Sequence, residues 1–154
     1  MALKLSSPSF RPEGSIPNQH AAAGGDHSPA LTWSNAPQET RALALIVEDP
    51  DARKPGFTHW VVYNIPATVT QLPQDTPHRG DLSDGTLQGQ NDMGGLGYAG
   101  PKPPPGPPHR YVFHLYALDT TLRLEAGATR KQVEAAMRGH VLARAELVGL
   151  YGVS

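Results

Sequence analysis

The sequence predicts a mostly β domain, and three observations predict it. Sixteen glycines and sixteen prolines make up about a fifth of the 154 residues, too many breakers for a helical bundle and well suited to strands joined by long shaped loops. Three runs, residues 41–48, 58–65 and 110–118, are dense in aliphatic, β-branched and aromatic side chains. Helical spacing with both a start and a stop signal occurs near residues 129–139. The expected total is four or five strands, one or two peripheral helices and long loops.

The elements follow in chain order. Residues 6–29 are polar and punctuated by Gly and Pro, which reads as loop with room for a short edge strand, and residues 31–33 form a brief strand. The run at 41–48 is nearly all apolar and stops at Asp49-Pro50, because proline has no N–H with which to continue a ladder. A continuous apolar run of that length is a central strand buried on both faces. Residues 58–65 are stopped by Pro66, and residues 66–100 read as loop, with turn signals at Asp84-Gly85 and Gly94-Gly95. The third strong strand is 110–118. Thr129 and Gln132 form a capping box, Val133, Ala136 and Met137 share a helical face, and Gly139 sits where a helix ends. Residues 141–151 would suit either a second helix or a strand. Gly149 and the Val, Leu and Tyr content favour the strand.

Composition bounds the function. The length fits a single domain, 1–154. A formal charge of −1 with interspersed signs leaves no electrostatic footprint for nucleic acid or anionic membrane. No apolar run reaches spanning length, and the N-terminus lacks the basic and apolar regions of a secretory signal, so the expected location is cytoplasmic. The absence of cysteine removes disulfides, thiolate nucleophiles and Cys-based zinc sites.

Three polar clusters lie at strand ends, where stiff sheets commonly hold binding groups. They are Glu48-Asp49-Pro50-Asp51, Phe57-Thr58-His59 and His109-Arg110-Tyr111. Strict alternation would put His59, Val61 and Tyr63 on one face, and His109 with Tyr111 on one face. Each cluster also has a bland reading: an Asp-Pro-Asp turn, or a satisfied or solvated histidine, the reading given to His20, His27, His78, His114 and His140. If the clusters converge, two imidazoles, a phenol and loop amides would surround a small concave site, with an aspartate fixing one imidazole. That set suits a phosphate-sized anion. Six prolines in residues 101–108 would wall such a site without donating into it, and their fixed φ removes ordering entropy before binding.

These residues resemble the phosphatidylethanolamine-binding protein family, in its short prokaryotic branch of Raf-kinase-inhibitor-like proteins. The matching stretches are SPALTW (28–33), ALIVEDPDA (44–52), HWVVYNIP (59–66), GQND (89–92), GYAGP (97–101), HRY (109–111), LYALD (115–119) and the tail 139–151. The resemblance implies an antiparallel β-sandwich with peripheral helices and a small anion pocket at its edge. It implies ligand-binding roles for Asp49, His59, Tyr98, Gly100, Pro101, His109 and Tyr111. Asp51 would support the loop, and Phe57 would form an aromatic wall. It implies a non-catalytic binding protein for phosphate-bearing ligands, such as phospholipid head groups or phosphorylated molecules, with an inhibitory or regulatory role open. A homodimer is expected, and no cofactor or metal. Lys102 stands where prokaryotic relatives commonly carry cysteine and adds positive charge to the rim. The long C-terminal helix of animal members has no counterpart, so kinase regulation and membrane recruitment are not carried over. Two alternatives stand beside this reading. One is a hydrolase or metal enzyme built on Asp49, His59 and His109. The other is an interaction protein presenting residues 102–108 as a polyproline ligand.

Overall fold

The computed structural model describes residues 1–54 and 56–153. Its strands are β1 (Lys4–Ser6), β2 (Gly14–Ser15), β3 (Leu31–Ser34), β4 (Ala42–Asp49), β5 (Phe57–Pro66), β6 (Gln71–Leu72), β7 (Leu87–Gln88), β8 (His109–Leu118) and β9 (Val141–Tyr151), with one α-helix, α1 (Arg130–Met137). Two open sheets form the sandwich: a three-stranded one, β1-β3-β6, and a six-stranded one, β2-β9-β8-β4-β5-β7. All pairings are antiparallel except the two-residue contact of β2 with β9. Among the described residues no helix is long and apolar enough to cross a membrane.

β4 lies between β5 and β8, and the alternation of its apolar run divides the core in two. Leu43, Leu45 and Val47 face the small sheet, where Leu5, Leu31, Trp33 and Leu72 meet Trp60, Phe113 and Leu115. Ala44 and Ile46 face the other way, onto Val61, Tyr63, Leu122, Val133 and Met137. The central strand is therefore buried on both faces, as its composition requires. Each such aliphatic side chain contributes about 1.5–3 kcal/mol of burial.

Helix α1 begins on the expected capping box, with the Thr129 hydroxyl accepting from the Gln132 amide and the Gln132 side chain accepting from the Thr129 amide. It ends before Gly139, whose φ of 81° is a conformation that favours glycine. Residues 141–151 form a strand over their whole length, hydrogen-bonded along β8. The first 29 residues hold two short strands and two 3-10 turns, at Asn18–His20 and Ala22–Gly24.

The strict alternation expected for residues 59–63 is corrected. The register of β4 against β5 shifts between Val47 and Glu48, where Val47 pairs with Trp60 but Glu48 pairs with Thr58. The extra residue is His59. A bulge of this kind re-aims one side chain: Val61 and Tyr63 point to α1, whereas the His59 ring lies 5.2 Å from that of Tyr111, on the face of the small sheet. A second shift between Leu43 and Leu45 surrounds Asn64, at φ 53°. Its side-chain amide accepts from the Leu122 amide and donates to the Leu122 carbonyl.

Candidate functional site

The ends of β4, β5 and β8 meet at one corner of the six-stranded sheet, and a cavity of about 250 Å³ opens there. Asp49, Phe57, His59, His109 and Tyr111 line it from the sheet. Ala52, Arg53, Met93, Lys102, Pro103 and Pro104 line it from the loops. All three polar clusters contribute, and the re-aimed His59 is what lets the middle one do so.

Asp49 is the last residue of β4 and its side chain is 4% exposed. One carboxylate oxygen accepts from the Asp51 amide at 2.8 Å, which closes the Asp-Pro-Asp turn. The other accepts from His109 Nδ1 at 2.7 Å. A carboxylate can only accept, so Nδ1 carries the hydrogen and Nε2 is the ring atom left for the cavity. His109 and Tyr111 share a face as expected, with stacked rings 6.5 Å apart.

His59 is clamped on both sides of Ala99. Its carbonyl accepts from the Ala99 amide at 2.8 Å, and its Nδ1 donates to the Ala99 carbonyl at 2.6 Å. Burial lowers its pKa, outweighing the Ala99 bond and the charges of Asp49, Asp92 and Asp26. Asp92 secures the flanking backbone, since its carboxylate accepts from the Thr58 amide and its own amide donates to the Thr58 carbonyl. Phe57 packs against the His59 ring at 5.0 Å, in the position of an aromatic wall. Burial pushes the pKa of the Tyr111 phenol up, and the nearby Asp49 charge adds to the shift, so Tyr111 keeps its hydrogen at neutral pH.

Asp51 takes a supporting position outside the cavity. It accepts from the Arg110 amide and from two guanidinium nitrogens, at 2.8, 3.1 and 2.9 Å. Those bonds hold its carboxyl down to about 2.

Tyr98, Gly100 and Pro101, expected among the ligand-binding residues, stand outside the lining of the cavity. Tyr98 is buried edge-on against Trp60 and donates to the His20 carbonyl. The Gly100 amide is already committed to Asp26, and Pro101 offers only a carbonyl, which accepts from Ala22. All three tie the rim to residues 20–26. Gly100 must be glycine for a packing reason, because a Cβ there would sit 2.3 Å from the His20 carbonyl oxygen. The proline loop is half docked: Pro101 and Pro103 are buried, while Pro104, Pro105, Pro107 and Pro108 are exposed.

Sequence reasoning missed Arg53 and Met93 as lining residues. Arg53 follows the Asp-Pro-Asp turn directly, a signal available in the sequence, but Met93 arrives from a loop without periodicity. A larger groove of about 430 Å³ runs past Ser15, Asn18, Pro108 and Tyr151. Among the described residues its lining includes no carboxylate, imidazole or basic side chain, whereas the smaller cavity gathers Asp49, His59 and His109.

Fold and site together define a class: an open β-sandwich that gathers an aspartate, two histidines and a tyrosine at the ends of its central strands. A family model described as phosphatidylethanolamine-binding protein matches residues 6–152, and the chain belongs to that family. A "UPF0098 protein" of Methanothermobacter thermautotrophicus is 50% identical over 149 residues, covering 97% of this chain and 98% of that one. The crystal structure of the phosphatidylethanolamine-binding protein homologue CT736 from Chlamydia trachomatis superposes with a TM-score of 0.90 at 39% identity, over 99% of both chains. That of Escherichia coli YbcL, a member of the mammalian phosphatidylethanolamine-binding protein family, does so with a TM-score of 0.92 at 35% identity, over the whole of both chains.

Proposed function

We propose that this protein binds small phosphate-bearing ligands in the cavity between Asp49, His59, His109 and Tyr111, without turning them over. The observation that carries the reading is the Asp49–His109 pair in the cavity lining, hydrogen-bonded at 2.7 Å. Asp49 holds the Nδ1–H of His109, so a proton taken up by that ring sits on Nε2 and makes it a charged donor to an anion. Tyr111 supplies a neutral donor. Arg53 and Lys102 stand at the mouth, where their charges steer an anion inward. Phe57, Met93, Pro103 and Pro104 form apolar walls that keep water from competing. Phospholipid head groups and phosphorylated small molecules share the phosphate that this set recognises. The test is calorimetric titration with phosphorylethanolamine, followed by phosphorus NMR of the same sample. Saturable binding of a ligand recovered intact supports the reading.

The same Asp–His geometry favours a second reading, because a carboxylate behind an imidazole is also how a general base is oriented. Among the described residues the cavity lining contains no serine, threonine or cysteine, so water would have to be the nucleophile. Turnover of a phosphate ester that disappears in His109→Ala would establish the enzyme. A homodimer is part of the proposal, supported by the exposed apolar side chains Leu142 and Val153 on the β9 side. The polyproline alternative loses ground because Pro103 and Pro104 line the cavity.

A further inference from the structure

We propose that this cavity selects oxyanions that carry an acidic hydrogen, taking phosphate monoesters in preference to sulfate esters and phosphate diesters, with His59 as the residue that discriminates. The inference rests on the phosphate-pocket reading and narrows its ligand class.

His59 Nδ1 lies 2.6 Å from the Ala99 carbonyl oxygen, which can only accept, so the ring hydrogen is on Nδ1. A neutral imidazole in that tautomer has a bare Nε2, which accepts and cannot donate. His59 is 4% exposed and lines the cavity. Its Nε2 has no protein partner among the described residues and is not closed off as a buried orphan, so the lone pair opens on the cavity. The charged and titratable groups around the ring are Asp49 from β4, His109 and Tyr111 from β8, Arg53 and Lys102 in the same cavity lining, and the charges of Asp92 and Asp26 in the loops. The carboxylates favour the imidazolium, but burial outweighs them and lowers the pKa of the ring below the ordinary histidine value, so the ring is neutral at neutral pH.

The two histidines therefore differ. His109 is backed by the Asp49 carboxylate and, once protonated on Nε2, donates to an anion, whereas His59, backed by a carbonyl, asks the anion for a hydrogen. A phosphate monoester in its singly charged form has one acidic hydrogen and several acceptor oxygens, and so satisfies both rings. A sulfate ester or a phosphate diester has the same charge and no hydrogen. Either would set an oxygen lone pair against the Nε2 lone pair, unless His59 first took a proton from solvent against its burial.

The experiment compares phenyl phosphate, phenyl sulfate and methyl phenyl phosphate by calorimetry just below the second ionisation of a phosphate monoester, about pH 6. All three ligands then share the aromatic group, and most of each carries one negative charge. Phenyl phosphate is expected to bind at least about tenfold more tightly than the other two, the scale of leaving a buried acceptor unsatisfied. Glutamine at position 59 can turn its NH₂ toward the cavity, so in His59→Gln the preference among the three esters should fall towards unity. A readout independent of that variant is the nitrogen NMR spectrum of the imidazoles in the free protein, which should show His59 protonated on Nδ1 alone at neutral pH. Equal binding of the three esters, or a hydrogen on His59 Nε2 in the free protein, overturns the inference and leaves the phosphate pocket standing. Failure of all three to bind overturns both.

Discussion

Replacing Asp49 by asparagine isolates the electrostatic part of the site, because size and shape are retained. The Asp49 side chain is 4% exposed and holds two bonds, from the Asp51 amide at 2.8 Å and from His109 Nδ1 at 2.7 Å. The asparagine carbonyl can keep the first, which preserves the turn. Its NH₂ then meets His109 Nδ1, and two donors cannot face each other, so the ring must move its hydrogen to Nε2. A charge-assisted bond worth about 1.5–3 kcal/mol becomes a neutral one of about 0.5–1.5, so the expected loss of stability is about 1–1.5 kcal/mol. With a urea slope of about 1–3 kcal/mol/M, the unfolding midpoint should fall by roughly 0.3–1.5 M. The domain stays folded, since total stabilities of about 5–15 kcal/mol are usual. Binding of phenyl phosphate at mildly acid pH should weaken by roughly 5- to 10-fold, as a charged donor is replaced by a neutral one. Calorimetry on wild type and Asp49→Asn reads this directly. If asparagine binds as tightly as aspartate, or more tightly because a repelling charge has gone, the assignment of Asp49 as the anchor of a charged donor is wrong.

Further outcomes follow from the same structure. Gly100→Ala should cost roughly 1–3 kcal/mol or more in thermal or urea unfolding, because the new methyl group meets the backbone of residues 20–22 at 2.3–2.8 Å; an unchanged midpoint would show that the rim is looser than described. His59 and His20 both have pKa values lowered by burial. The unfolded chain therefore binds more protons just below the ordinary histidine pKa of about 6.5, and stability should fall as pH drops through that value. A shallower fall is expected in His59→Gln. Asp51 has the opposite linkage: its carboxyl is held down to about 2 by Arg110, so its contribution is full above about pH 4 and is lost as pH falls through about 2. Arg110→Ala should move acid unfolding to higher pH, as circular dichroism would record. Light scattering at tens of micromolar should report a dimer, and a monomer there would remove the homodimer from the proposal.

The parts legible in the sequence are those where one local signal dominates. β4 announced itself because a run of six apolar residues, 42–47, stops just before Asp-Pro, and α1 because its cap, face and terminal glycine agree. β9 was harder, yet Gly149 and the β-branched residues leaned the right way. The short strands β1, β2, β6 and β7 carry two or three residues each, too few for any period, and exist because partners elsewhere in the chain offer an edge. The bulge at His59 was the costliest omission. Alternation alone sends that ring to the α1 side, and only the pairing of Val47 with Trp60 and of Glu48 with Thr58 reverses it. The clamp on Ala99 was likewise hidden, because it joins residues forty positions apart. Tyr98, Gly100 and Pro101 were placed in the site by resemblance. Their hydrogen bonds show them supporting the rim from behind.

The central claim is that the corner formed by β4, β5 and β8 is where a phosphate-bearing ligand binds, and mapping by NMR tests it most directly. Phenyl phosphate is titrated into isotope-labelled protein while backbone amides and histidine rings are followed together. The account predicts saturable shifts concentrated at the rings of His59 and His109 and at the amides of Ala52, Arg53 and Tyr111, and little change along the groove past Ser15 and Tyr151. Shifts centred on that groove instead, or none at any ligand concentration, would contradict it.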